Sequence, residues 1–147
     1  MSQFDAEQFM NSSISDANST QYTPVPEGEF QASIASVTPR VTGTGKALLN
    51  VAWKVDDETV RTETGMAEPM VYQTIWLDVT ESGGLDVGKG KNVGLGKLRD
   101  ALGQNKPGSP WSPGMLVGQV ALIRVGHSID KRDNVSIQAE VKAVAAL

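Results

Sequence analysis

The stretch Gly83-Gly84-Leu85-Asp86-Val87-Gly88-Lys89-Gly90 comes within one residue of a phosphate-binding loop, G-x-x-x-x-G-K-[ST]. In that loop, backbone N–H groups cradle phosphates, the lysine reaches the outer phosphates and the hydroxyl holds Mg²⁺. Here Gly90 stands in place of the hydroxyl, and Asp86 would bring a carboxylate into the cradle. No alternation of strands and helices supplies the parallel sheet on which such a loop is built. The segment is read instead as a flexible Gly/Lys loop, with Lys89 and Lys91 facing a nucleic-acid backbone.

Other chemistries are poorly provided for. His127 is the single histidine, and Gly126-His127-Ser128 reads as a solvent-exposed turn. With zero cysteines there is neither a disulfide nor a thiolate ligand, so a metal would depend on carboxylates alone. Asp56-Asp57-Glu58 lacks the ligand spacing of a calcium loop and reads as a solvated hairpin tip. No G-x-S-x-G nucleophile turn occurs. No enzyme, cofactor or metal is expected.

Aromatic and cationic residues offer more. Bases stack on aromatic rings without regard to sequence, while Lys and Arg track the phosphates. Tyr72 and Trp76 lie four residues apart on one side of a strand-like run, about 13 Å along it, so they would serve separate nucleotides. They read equally well as a binding face or as packing beneath a helix or arm. Trp53 shares its face with Leu49, Val51 and Val55 and reads as core. Trp111, in a Pro/Gly loop, is a third candidate platform. Candidate phosphate contacts are Arg40, Lys46, Lys54, Lys89, Lys91, Lys97, Arg99 and Arg124.

Five strands must position these groups. The first runs Glu29 to Val37, with Phe30, Ala32 and Ile34 on one face, and Gly43-Thr44-Gly45 supplies a hairpin turn. The second runs Ala47 to Val55. The third, Met70 to Val79, carries Val71, Ile75 and Leu77 against Tyr72, Thr74 and Trp76. Asn92 is the expected N-cap of a helix ending near Leu102, with Leu95, Leu98 and Leu102 as its apolar stripe and Gly103 as its stop. The fourth strand is Gln119 to Val125; the fifth is Asn134 to Lys142, alternating through Val135, Ile137, Ala139 and Val141. The fold expected is mainly β: an OB-like five-stranded barrel, one helix between strands 3 and 4, and an extended N-terminal arm.

The 147 residues suffice for one domain with its own core, and 39% hydrophobic content with 15 Gly and 7 Pro suits a turn-rich β protein. Residues 1–23 are polar and acidic and read as an arm; 24–147 form the barrel domain. Net charge is -4, but unevenly spread: -3 in residues 1–23, -7 in 56–86 and +4 in 87–106. Local patches, not the sum, decide where a polyanion can sit. No run approaches the ~20 apolar residues of a membrane span, and Met1-Ser2-Gln3-Phe4-Asp5 lacks the features of a secretory signal.

Two segments carry a resemblance. Val25-Pro26-Glu27-Gly28-Glu29-Phe30 leads through Gly43-Thr44-Gly45-Lys46 to the apolar strand ending in Trp53. Gly90-Lys91-Asn92-Val93-Gly94-Leu95-Gly96-Lys97-Leu98-Arg99-Asp100-Ala101-Leu102-Gly103 is the second. Together they resemble a family of small bacteriophage proteins, long catalogued as a domain of unknown function and commonly described as single-stranded DNA-binding proteins. The resemblance spans roughly residues 22–143. It implies an OB-like barrel that coats single-stranded DNA during phage replication or recombination, in the cytoplasm of an infected bacterium. Replication or recombination proteins are the implied partners, and self-association is left open. The competing expectation is a virion structural protein, a capsid-decorating or tail-associated β domain.

Overall fold

The computed structural model describes residues 3–147; Met1 and Ser2, the first residues of the expected arm and of the stretch read for a secretory signal, lie outside the described residues. Five strands, β1 (Gly28–Val41), β2 (Ala47–Val55), β3 (Met70–Trp76), β4 (Val120–Ile129) and β5 (Ile137–Ala145), close a barrel in the order β1-β2-β3-β5-β4. All neighbours run antiparallel except β3 and β5, which meet in parallel at Tyr72 and Glu140.

Alternation fills the interior. Leu49, Val51, Trp53 and Val55 of β2 point inward and meet Ile34, Val71, Ile75, Ala121, Ile123 and Val125 in one buried cluster. Trp53 is fully buried, as its neighbours imply, and its indole N–H donates to Gln73 Oε1 at 2.9 Å. That bond matters because an unpaired buried N–H costs about 1–3 kcal/mol. β1 joins two walls: residues 28–33 pair with β4 and residues 32–41 with β2, with a bulge between Ile34 and Ser36. Pro39 is tolerated late in β1 because that part of the strand is bonded on the β2 side alone.

The expectation of a single helix is corrected. The described residues contain α1 (Ala6–Met10), α2 (Glu58–Thr64), α3 (Val93–Ala101) and a 3-10 turn at Pro113–Leu116. α3 falls between β3 and β4, and buries Leu95 and Leu98. α2 falls where a solvated acidic loop was expected between β2 and β3. Asp57 caps it by accepting from Val60 N–H at 3.0 Å, Gly65 ends it at φ 71°, and Val60 plugs the barrel end. Arg61 bonds both Asp56 and Glu58, so the acidic run is a helix start and not a hairpin tip. Residues 3–23 are exposed throughout. No helix among the described residues is long and apolar enough to cross a membrane.

Asn92 also departs from its expected role. It sits at the N-cap position of α3 with φ 53°, and its side chain makes no capping bond. Instead Nδ2 donates to the carbonyls of Asp78 and Asp86, Oδ1 accepts from Asp78 N–H, and its own N–H donates to Asp78 Oδ2. Buried among these groups, Asn92 pins the long loop to the end of β3. His127 is likewise not in an exposed turn: it is half-buried in β4, and Nε2 lies 2.7 Å from the Val25 carbonyl. Asn92→Ala is expected to lower stability by about 1–3 kcal/mol in urea unfolding, because three side-chain bonds lose their partner inside a buried site. Asn92→Gly should lose the same side-chain bonds but recover part of the loss, because glycine accepts the left-handed backbone freely.

In the β4–β5 loop, Ser136 Oγ–H and the N–H groups of Val135 and Ser136 all donate to Asp133, holding its carboxyl at about 2 against an ordinary 3.8. A depressed carboxyl favours the folded loop above the ordinary value, and that contribution disappears as pH falls through about 2. An NMR titration should find the Asp133 midpoint near 2, moving toward 3.8 in Ser136→Ala.

Candidate nucleic-acid interface

Strand register brings part of the candidate set onto one surface. The β2 residues opposite Leu49, Val51, Trp53 and Val55 face outward, and pairing extends this face into rows. One row is Arg40, Leu48 and Trp76; the next is Thr38, Asn50 and Thr74. A third joins Ser36, Ala52, Tyr72 and Glu140, and a fourth joins Ser33, Lys54 and Met70. Arg40, Lys54, Tyr72 and Trp76 therefore share the outer face of β1–β3. Lys46 adjoins it from the β1–β2 turn, where Thr42 Oγ1 accepts from its N–H at 3.1 Å.

The two rings are exposed, Tyr72 at 52% and Trp76 at 56%, so they are not packed under a helix or arm. Their cross-strand neighbours Ala52 and Leu48 are nevertheless buried, at 6% and 9%. Directly opposed side chains stand about 5 Å apart, so each ring leans on a small apolar seat while its other surface meets solvent. Tyr72 also borders a groove of about 650 Å³ with Tyr22, Met66, Met70, Thr74 and Ile137.

Charge on this face is partly neutralised. Lys54 Nζ lies 3.8 Å from Glu68, and Lys142 Nζ lies 2.9 Å from Glu140, the carboxylate across from Tyr72. Lys142, and after it Ser128, hold the Glu140 carboxyl below the usual glutamate value. Arg40 and Lys46 have no carboxylate within ion-pair distance among the described residues, which makes them the open cations here.

The remaining candidates lie elsewhere. Lys91, Lys97 and Arg99 line a groove of about 530 Å³ along α3, together with Asp86 and Asp100. Arg99 is committed: Nε and Nη2 donate to the Gln104 carbonyl at 3.2 and 3.0 Å, and its guanidinium lies 4.2 Å from the Trp111 ring centroid. Trp111 Nε1 donates to Gln104 Oε1 at 2.9 Å and its ring packs against the core. One face of Trp111 is thus covered by Arg99. Lys89 is exposed in the loop. Gly88 N–H donates to Asp86 Oδ1 there, closing a local turn where a phosphate cradle would need open donors. Arg124 sits on β4, opposite Glu29 and Ala143, on a strand that touches neither β2 nor β3.

Sequence reasoning passed over Thr38, Asn50 and Thr74, the polar row between the two rings. Their parity with Arg40, Lys54 and Trp76 was the available signal. Neither a protein-family model nor a curated protein matches the sequence.

The three tryptophans differ enough in exposure to be separated by quenching. Acrylamide should reach Trp76 readily, Trp111 partly and Trp53 hardly at all. Trp76→Phe should therefore remove most of the quenchable emission while leaving the fold's circular dichroism unchanged.

Proposed function

We propose that this protein is a non-enzymatic, OB-like single-stranded DNA-binding protein that holds the strand across the outer face of β1–β3. Barrels of the OB type bind oligonucleotides on their β2–β3 face, flanked by the β1–β2 and β4–β5 loops. The observation that carries the reading is the pair of exposed rings, Tyr72 and Trp76, on that face of a closed β1-β2-β3-β5-β4 barrel. Bases stack on the two rings, and the polar row between them offers hydrogen bonds to bases or sugars. Arg40 and Lys46 take phosphates at one end, and Lys54 does so at the other when it exchanges Glu68 for the strand.

Two open cations are few for a polyanion site, so stacking contributes the larger share of affinity. The resemblance in residues 22–143 supports a role in phage DNA replication or recombination, in the cytoplasm of an infected bacterium, with other replication or recombination proteins as partners.

Titration of a fluorescent oligo-dT against a matched duplex, at low and high salt, tests the assignment. Preference for the single strand with quenching of Trp76 is the expected result; absence of binding at low salt would reject it and favour the virion structural reading. Trp76→Ala should weaken binding by about 1–3 kcal/mol, roughly 5- to 150-fold, without unfolding the barrel. Arg40→Ala should reduce the salt slope by about 0.7, the increment for one lost phosphate contact on a single strand.

A further inference from the structure

The β3–β5 seam carries a charged pair beside one of the two rings. Tyr72 and Glu140 meet there as cross-strand partners and line the same groove of about 650 Å³. Glu140 faces outward, because its neighbours Ala139 and Val141 turn to the core. Its Oε1 accepts from Lys142 Nζ at 2.9 Å, and the Glu140 and Lys142 side chains are 43% and 44% exposed. Neighbouring strands lie about 5 Å apart, so a base stacked on Tyr72 overhangs Glu140. An ion pair this open to solvent gives up little when it rearranges around a ligand.

Backbone geometry aims this pair. Lys142 is the extra residue of the β5 bulge, a device that redirects a side chain. Its stem lies flat across Gly126, the residue paired with Glu140 on the β4 side. A Cβ at Gly126 would come within 2.7 Å of Lys142 Cγ and 2.8 Å of Cε, so any larger residue would push the lysine off this path. Glycine thus lets the ammonium run straight to the carboxylate. Lys142 and then Ser128 keep the Glu140 carboxyl below the usual glutamate value, so at neutral pH it is ionised and can only accept.

The pair presents a donor, Lys142 Nζ, followed by two acceptors, the Glu140 oxygens. Among the DNA bases, guanine alone offers the complement along its pairing edge: the O6 acceptor, then the N1–H and N2–H donors. Thymine would set its O2 against the second carboxylate oxygen. Cytosine and adenine would each set an amino group against the ammonium. Single-stranded bases are read in this manner, by stacking on an aromatic ring and hydrogen bonding along the exposed pairing edge. We infer that Glu140 and Lys142 read a guanine stacked on Tyr72, giving the aromatic face a preference for guanine at one position. The inference rests on the DNA-binding reading and deepens it: the rings hold any strand, and the ion pair selects among strands.

Binding of the full chain to three oligomers of about eight nucleotides tests this: all thymidine, alternating thymidine and deoxyguanosine, and alternating thymidine and deoxyinosine. Deoxyinosine stacks as guanine does and keeps O6 and N1–H, but lacks the N2 amino group. Wild type should bind the guanine oligomer about fivefold or more tighter than the inosine one, the effect of one two-point base contact. Glu140→Gln places a donor where the second acceptor stood, so the difference between guanine and inosine should vanish. The same variant should bind the thymidine oligomer at least as tightly as wild type does, with unchanged circular dichroism, because Glu140 lies at the surface. Equal affinity of wild type for the guanine and inosine oligomers would overturn the inference, as would a difference that persists in Glu140→Gln. Failure of all three oligomers to bind at low salt would reject the DNA-binding reading itself, and this inference with it.

Discussion

Two β-bulges hold this barrel together by re-phasing the strands that carry them. Side chains alternate with a period of two, so a strand that curves from one wall to the next must at some point skip a residue or turn its apolar side outward. β1 does this between Ile34 and Ser36: Ala32 and Ile34 face inward before the skip, Val37 after it. β5 does it opposite Arg124 and Val125, where Lys142 is the extra residue, so that Val141 and Val144 both reach the core. Without either skip, one wall would present serine or lysine to the interior, and closure between β3 and β5 would lose its packing.

The bulges also explain how far the strands were legible. The apolar positions of the first strand fall on even numbers to Ile34 and on odd ones from Val37, a visible break in phase. Alternation weakens near such a break, and the expected ends of the first strand at Val37 and of the fifth at Lys142 both fall beside one. β1 runs on to Val41, and β5 occupies Ile137–Ala145. In the fifth, strict alternation also drew in Val135, which is exposed, because a loop held by Asp133 and Ser136 precedes the strand. The unforeseen α2 had a signal in Asp57 and Gly65, the cap and stop at its ends; eight acids in residues 56–86 masked it as solvated loop.

For the candidate site, facing was readable and grouping was not. The parity of β3 separated Tyr72 and Trp76 from Val71 and Ile75, and the parity of β2 separated Lys54 from Trp53. That Arg40 stands in the same row as Trp76 depends on register, which the β1–β2 turn sets on one side of Leu48 and the β2–β3 pairing on the other. The cations near α3 were visible as a run, yet their distance from the aromatic face follows from strand order. Arg99 and Trp111 looked like a cation and a stacking platform; Gln104 binds both into a brace at the helix end.

Charge is unevenly spread over the barrel, although Asp78 and Asp86 accompany the basic segment at the start of α3. The acidic arm joins at the α2 end, where Val60 plugs the barrel; the residue 87–106 segment, net +4, surrounds the α3 end, where Leu95, Leu98 and Leu116 do so. On the face between them, Lys54 and Lys142 are matched by Glu68 and Glu140, leaving the rings as its most distinctive feature. A protein whose affinity for a strand came mainly from cations would crowd them onto that face. Here the lysines outside that face gather instead along α3, in a groove that Asp86 and Asp100 share, so on the face itself the exposed rings and not charge are what a strand would meet.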